Sequence, residues 1–171
     1  MPLARIAGVL AALLLLANCT QAPLATQATR DLPEAVPQPA AAPGPEASRS
    51  RGSDLACLAE AVYFEARGTG TVGESAVAHV IVNRAKSPEF PRSVCGVVGD
   101  GCQFSYRCDG RSDALAESGP RARAYKVAGD VLGGAPDFTS GALFFHSAQA
   151  APGWFKTRPR IGTFGGNVFY R

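Results

Sequence analysis

The chain has 171 residues, 46% of them apolar and 8% aromatic, which is enough for one domain with a real core and excludes a wholly disordered chain. The formal charge is only +3, and from Asp54 onward 13 Lys and Arg stand against 11 Asp and Glu; with no nucleic-acid motif, this near balance argues against nucleic-acid binding. After Asp137 every charge is positive (Lys156, Arg158, Arg160, Arg171), which reads as a solvated basic face in preference to a groove for an anionic polymer.

Residues Ile6 to Leu16 are nearly all apolar, follow Arg5, and are too few to span a bilayer as a stable helix. They read as the hydrophobic region of a secretory signal, residues 1–19, so the chain is expected to be exported. Leu16-Ala17-Asn18-Cys19 resembles a lipobox, with Asn18 where a smaller residue is usual. The resemblance implies acylation of Cys19; ordinary cleavage nearby, for instance after Ala22, is the competing reading. Thr20 follows the cysteine where an aspartate would signal inner-membrane retention, so the expected location is the periplasm or the outer membrane, with membrane contact only through that lipid. Gln21 to Ser50 contains 8 Ala and 6 Pro, and residues 20–52 are expected to form an extended tether.

The folded unit is expected at 53–171. Ser53 or Asp54 serves as N-cap, and Leu55, Leu58, Ala59, Val62 and Ala66 recur at helical spacing, predicting an amphipathic helix that ends at Gly68. A second helix is expected from Val72 to Lys86, with Gly73, Ala76, Val77, Val80 and Arg84 on one face, stopping before Pro88. Val94 to Gly110, rich in Gly and Cys, reads as an ordered loop. Pro120 opens a third helix as its first residue, with Tyr125, Ala128, Val131 and Leu132 inward and Gly133-Gly134 closing it. The segments "ALFFHS" and "NVFYR" read as strands paired across "KTRPRIGTFGG". The expected fold class is α+β: a mainly helical domain with a small C-terminal β element.

Cys19 apart, Cys57, Cys95, Cys102 and Cys108 make an even number in an exported chain, which favours two disulfides. Three connectivities are open; Cys57 to Cys95 with Cys102 to Cys108 is favoured because the second pair brackets a short, Gly-flanked loop. The spacings lack CxxC pairs and both histidines lie elsewhere, so a zinc site is disfavoured, and no metal or organic cofactor is expected.

Two glutamates lie on the first helix. At about 100° per residue, with Leu55 at zero, the apolar stripe runs from about 300° to about 40°, Glu65 falls near 280°, and Glu60 falls near 140°. Glu60 is therefore expected in water and Glu65 at the border of the core. A carboxyl against apolar surface loses solvation of its charged form, so its pKa rises toward that of a proton donor near neutral pH. The competing reading is an ion pair with Arg67 or a more distant arginine.

The stretch "LAEAVYFEARGTGTVGESAVAHVIVNRAKSPEFP" resembles the opening of the SleB-type cell wall hydrolases, which carry Tyr-x-Glu-Ala-Arg-Gly followed by a helix ending in Asn-Arg. The resemblance continues through "CQFSYRCDG" and "ALFFHSAQAAPGWFKTRPRIGTFGGNVFYR", covering Leu55 to Arg171. It implies a lysozyme-like catalytic core that cleaves peptidoglycan glycan strands, with Glu65 as the catalytic glutamate. In the lytic transglycosylase form Glu65 acts alone as acid and base. In the muramidase form a second carboxylate is needed, and Asp109 is the candidate, although an Asp109-Gly110 turn is the stronger reading of that pair. The resemblance places Gln103, Ser105 and Tyr106 at the sugar groove. His146 is expected to face the cleft from its strand, Asn83 either binds substrate or is a buried structural amide, and Trp154 either stacks on a sugar or belongs to the core. Relatives often carry glutamates where this chain has Thr69 and Val72.

Two further readings compete. One is a cysteine peptidase pairing Cys57 with His79 or His146, which the even cysteine count disfavours. The other is a non-catalytic lipoprotein that binds peptidoglycan. The sequence carries no signal for oligomeric state.

Overall fold

The computed structural model describes residues 45–171, with side chains from Ser50 onward. The expected signal segment, Cys19 and residues 20–44 of the expected tether lie outside the described residues.

Helix α1 spans Pro45–Glu65 and so begins inside the segment expected to be extended. Proline and glutamate at its first two positions suit a helix start, since proline lacks the orphan N–H and glutamate complements the positive end. Ser50 to Ser53 are exposed, so this extension adds no core there. Ser53 is not the cap: its hydroxyl donates back to the Ser50 carbonyl (2.8 Å), a contact of a helix interior. Leu58, Ala59, Val62 and Ala66 are buried as the periodicity predicts, and Ala61 and Tyr63 are buried too, because α1 is covered on several sides. Its neighbours are α2 (Gly70–Lys86), α3 (Val94–Val98) and α4 (Ser118–Leu132).

Two positive-φ glycines, Gly68 and Gly70, turn the chain from α1 into α2. The stretch expected as a loop contains α3 and a 3-10 helix at Ser105–Cys108. Ser93 caps α3 by accepting the Gly96 amide (3.0 Å), and burial of Val94, Val97 and Val98 holds this single turn in place. In α4 Pro120 is the third residue, not the first. Its buried stripe is Ala124, Val127, Ala128 and Val131, whereas Tyr125 (41%) and Leu132 (38%) are exposed; each sits one residue, about 100°, off that stripe.

The C-terminal sheet has three antiparallel strands, β1 (Phe144–Ser147), β2 (Arg160–Phe164) and β3 (Asn167–Tyr170), in the order β1-β3-β2. The β1–β3 pairing was expected, and β2 comes from the segment read as a connection. Its hairpin with β3 turns on Gly165-Gly166, both at positive φ as a type I′ turn requires. Alternation gives the sheet two faces. Phe145 and Phe169 pack toward the helices, while Phe144, His146, Val168 and Tyr170 share the outer face beneath the 3-10 helix Gly153–Thr157. The α+β class is thus as expected, mainly helical with a small C-terminal sheet.

Three devices fix the sheet, α3 and the loop in place. The hairpin lies directly on α2: a Cβ at Gly165 would stand 2.5 Å from Gly73 Cα and 2.6 Å from the Thr69 carbonyl oxygen. Disulfides join Cys57 to Cys95, tying α1 to α3, and Cys102 to Cys108, clipping the loop that carries the 3-10 helix. Both pairs follow the favoured connectivity.

Gly165→Ala is expected to destabilise the chain by about 2 kcal/mol or more, read by equilibrium denaturation, because the new methyl meets backbone at a positive φ. Loop entropy ranks the disulfides by their separations of 38 and 6 residues. Replacing Cys57 and Cys95 by alanine is expected to cost about 4 kcal/mol, against about 2 kcal/mol for Cys102 and Cys108. The reverse order in denaturation midpoints would contradict this account.

Candidate active site

Glu65 is the last residue of α1 and is half-buried. Burial raises its pKa, and the nearby Arg84 charge opposes that rise. The negative end of the helix dipole works in the same direction as burial. Among the described residues Glu65 belongs to no ion pair. Arg67, two residues away, instead binds Glu117 and lies over the Tyr63 ring with its Cζ 5.4 Å from the centroid. The expected competing pair with Arg67 is therefore absent.

Arg84 comes from the inward face of α2 and is only 7% exposed. Its Nε donates to the Leu143 carbonyl (2.7 Å) and an Nη donates to Gln103 Oε1 (3.2 Å). The guanidinium carbon lies 5.1 Å from the Phe90 ring centre and 5.8 Å from those of Phe104 and Phe144. Burial pushes its pKa down to about 10, against the pull of Glu65 and Asp100. Gln103 completes a relay by donating Nε2 to Asp100 (2.8 Å), so its amide links Arg84 to that second carboxylate.

Tyr106 forms the neighbouring wall. Its ring stacks on Phe64 at 4.5 Å between centroids, and its hydroxyl is buried without a hydrogen bond of ordinary geometry. Burial and the facing Glu60 carboxylate, with a smaller push from Glu65, hold the phenol well above its usual range and therefore protonated. Glu60 is not the solvated residue that the projection implies. It is paired with Arg107 at 3.0 Å, and the same guanidinium binds Asp113 at 3.1 Å. The loop folds back over α1 and covers Glu60, which a single-helix projection does not contain.

The remaining expected residues separate by position. Ser105 is exposed at the start of the 3-10 helix. Asp109 is exposed and accepts the Arg111 amide (2.8 Å), the short-range turn contact of an Asp-Gly pair, with Gly110 at φ 71. Asn83 donates to Asp137 (2.9 Å) and to the Ala142 carbonyl (3.3 Å), bracing a turn in which Asp137 also accepts from Thr139 and Gly141. His79 is buried 3.8 Å from Asp137, and burial pushes its pKa down. Cys57 is held in a disulfide and offers no thiol, so the cysteine-peptidase reading has no nucleophile there.

His146 lies on the outer sheet face, where Nε2 meets the Tyr170 hydroxyl (3.0 Å) and Nδ1 the Ser147 carbonyl (2.8 Å). Trp154 packs edge-on against Tyr170 and His146 yet remains 38% exposed. Phe144 joins this face to the Glu65 region, since its ring approaches both Arg84 and Trp154. Among the described residues no three His, Cys, Asp or Glu side chains gather as a metal site, and no helix is long and apolar enough to cross a membrane. The residues that sequence reasoning missed are Arg84, Phe64 and Asp100. Arg84 had a signal, a lone cation on an otherwise apolar helix face.

The sequence profile described as Cell Wall Hydrolase matches residues 68–170, starting just past Glu65. Spore cortex-lytic enzymes resemble the chain over 117 residues, 68% of its length: that of Halalkalibacterium halodurans is 36% identical and that of Bacillus subtilis 34%. The matched segment is 34% and 37% of those two proteins, so the chain spans only about a third of their length. The catalytic domain of the germination-specific lytic transglycosylase SleB from Bacillus anthracis superposes with a TM-score of 0.61 at 35% identity, covering 69% of this chain and 93% of that domain. The catalytic domain of the Bacillus cereus SleB protein gives the same TM-score at 34% identity, covering 70% and 91%. A profile match over more than half of the chain, joined to likeness in both sequence and fold to these catalytic domains, establishes that the chain belongs to the cell wall hydrolase family.

Proposed function

We propose that the chain cleaves peptidoglycan glycan strands between N-acetylmuramic acid and N-acetylglucosamine as a lytic transglycosylase, with Glu65 as its single acid and base. The observation that carries this is a half-buried carboxyl whose pKa is raised by burial and which, among the described residues, no cation binds directly. Burial favours the protonated form of such a group, which is the form a general acid needs.

The proton of Glu65 passes to the glycosidic oxygen, the C1–O bond breaks, and positive charge develops at the muramoyl C1. The Glu65 carboxylate then takes the proton of the muramoyl 6-hydroxyl, and O6 closes on C1. The products are a 1,6-anhydro end and a new N-acetylglucosamine hydroxyl. No water is consumed and Glu65 ends protonated. The muramidase form requires a second carboxylate, and Asp109 is already engaged in its turn. The non-catalytic reading has no need for a carboxyl raised in this way.

The exposed Ser105 offers a hydroxyl suited to sugar oxygens, while the buried Tyr106, its ring stacked on Phe64, holds that loop against α1 beside Glu65. Gln103 acts chiefly by holding Arg84, and Trp154 offers an exposed ring for stacking. Export and acylation at Cys19 would place this domain on the outer membrane facing the sacculus, and metabolic incorporation of a labelled fatty acid, lost in Cys19→Ala, tests that assignment.

Glu65→Gln is expected to lower the release of muropeptides from purified sacculi by about 10²–10⁴-fold with the fold intact. Wild-type activity in that variant would exclude Glu65 as the acid. Because the reaction starts from protonated Glu65, kcat/KM is expected to fall as pH rises through the raised pKa. Arg84→Met removes the charge that lowers this pKa, so the alkaline limb moves to higher pH, whereas Arg84→Lys keeps the charge and the limb. A limb that stays fixed or moves down in Arg84→Met would refute the coupling.

A further inference from the structure

Three of the four late cations converge. Lys156, Arg158 and Arg160 border one cavity of about 500 Å³ on the outer face of the sheet, with Phe155, Val168 and Tyr170 supplying its apolar wall. Arg171 lies elsewhere, bound to the Ser140 carbonyl. Among the described residues no carboxylate pairs with any of the three: Arg160 donates only to the Thr163 hydroxyl (2.9 Å), and Arg158 rests on the Phe144 ring with its Cζ 3.4 Å from the centroid. Three cations held beside one cavity repel each other, and a bound anion relieves that repulsion.

Position ties the cavity to the Glu65 region. The ring that carries Arg158 also packs near Arg84, the cation that acts on Glu65. The Phe144 ring thus links this face to the Arg84–Glu65 region, and on the glycan-strand reading substituents of a bound strand extend toward it. In peptidoglycan the substituent of N-acetylmuramic acid is a stem peptide, which alternates carboxylates with methyl-bearing alanines. Cations beside an aromatic and aliphatic wall match both features.

Resting on the glycan-strand reading above, we propose that this cavity binds a carboxylate of the stem peptide, so that the chain selects strands that still carry peptides. Lys156 and Arg160 supply the charge, and Arg158, braced on Phe144, fixes its place at the groove side of the cavity.

The test is calorimetric binding in a Glu65→Gln background, which removes turnover. The probes are peptide-bearing glycan tetrasaccharides and the same tetrasaccharides stripped by an amidase, whose muramic acid instead exposes a lactyl carboxylate. The peptide-bearing probe is expected to bind about tenfold more tightly, and Lys156→Ala with Arg160→Ala to bring the ratio near one. Lys156→Arg, which keeps the charge, retains the preference, and that rescue separates recognition from misfolding. A ratio untouched by the double substitution overturns the proposal. So does an equal or larger loss for the stripped probe, which assigns the cavity to the lactyl carboxylate. Binding needs no cleavage, so a chain that shows the ratio without cutting sacculi refutes the transglycosylase alone, and one that cuts without the ratio refutes the cavity alone.

Discussion

A guanidinium buried where α2 meets the loop and the sheet is the constraint on which the setting of Glu65 depends. Removing a charge from water is costly unless its donors are satisfied and opposite charge lies near. Arg84 meets those conditions by recruiting three separate parts of the chain: Leu143 and Phe144 at the start of β1, Gln103 and Phe104 in the loop, and Phe90 just after α2. The elements that surround Glu65 are thus fixed to one another through a single side chain. The same charge acts on Glu65 without binding it. A direct ion pair would hold the carboxylate ionised, whereas a charge at longer range only tempers the effect of burial.

The rest of the scaffold keeps that junction rigid. A small domain has a limited core, and covalent ties compensate for it. The Cys57–Cys95 bridge fixes the helix that ends in Glu65 to α3, and the Cys102–Cys108 bridge restrains the loop that carries Gln103 and Tyr106. At the other end, the contact of Gly165 with Gly73 seats the β2–β3 hairpin on the first turn of α2. Asn83 and Asp137 brace the turn leading into β1, where Ser140 holds a positive φ that an L residue adopts only under such restraint. Neighbouring residues of one helix thus serve different junctions: Asn83 supports the turn and Arg84 ties the loop and β1 together beside Glu65.

What was legible in the sequence follows physical range. Helix periodicity places the inward stripes of α1 and α2, since those residues meet neighbours on the sides their spacing selects. The border position of Glu65 follows from the same projection. Glu60 does not, because its environment is made by Arg107 and Tyr106, which are distant in sequence. Strand β2 escaped because only Ile161 and Phe164 are large apolar residues in it, although Gly165-Gly166 was a hairpin signal. Helix α3 is a single turn held by burial and one serine cap, too short for periodicity to reveal. The late cations show the same limit: spacing in a loop cannot tell a solvated face from a cavity that the 3-10 helix and sheet build together.

On the proposed glycan-strand reading, one chemical distinction stands at the centre, namely whether the anomeric carbon is captured by the substrate's own hydroxyl or by water. Digesting purified sacculi in water enriched in oxygen-18 and weighing the released muropeptides decides it. With Glu65 as the sole acid and base, the products carry 1,6-anhydro ends and no heavy oxygen at the muramoyl C1. Reducing ends bearing the label at that carbon would contradict the account and require a second group to activate water.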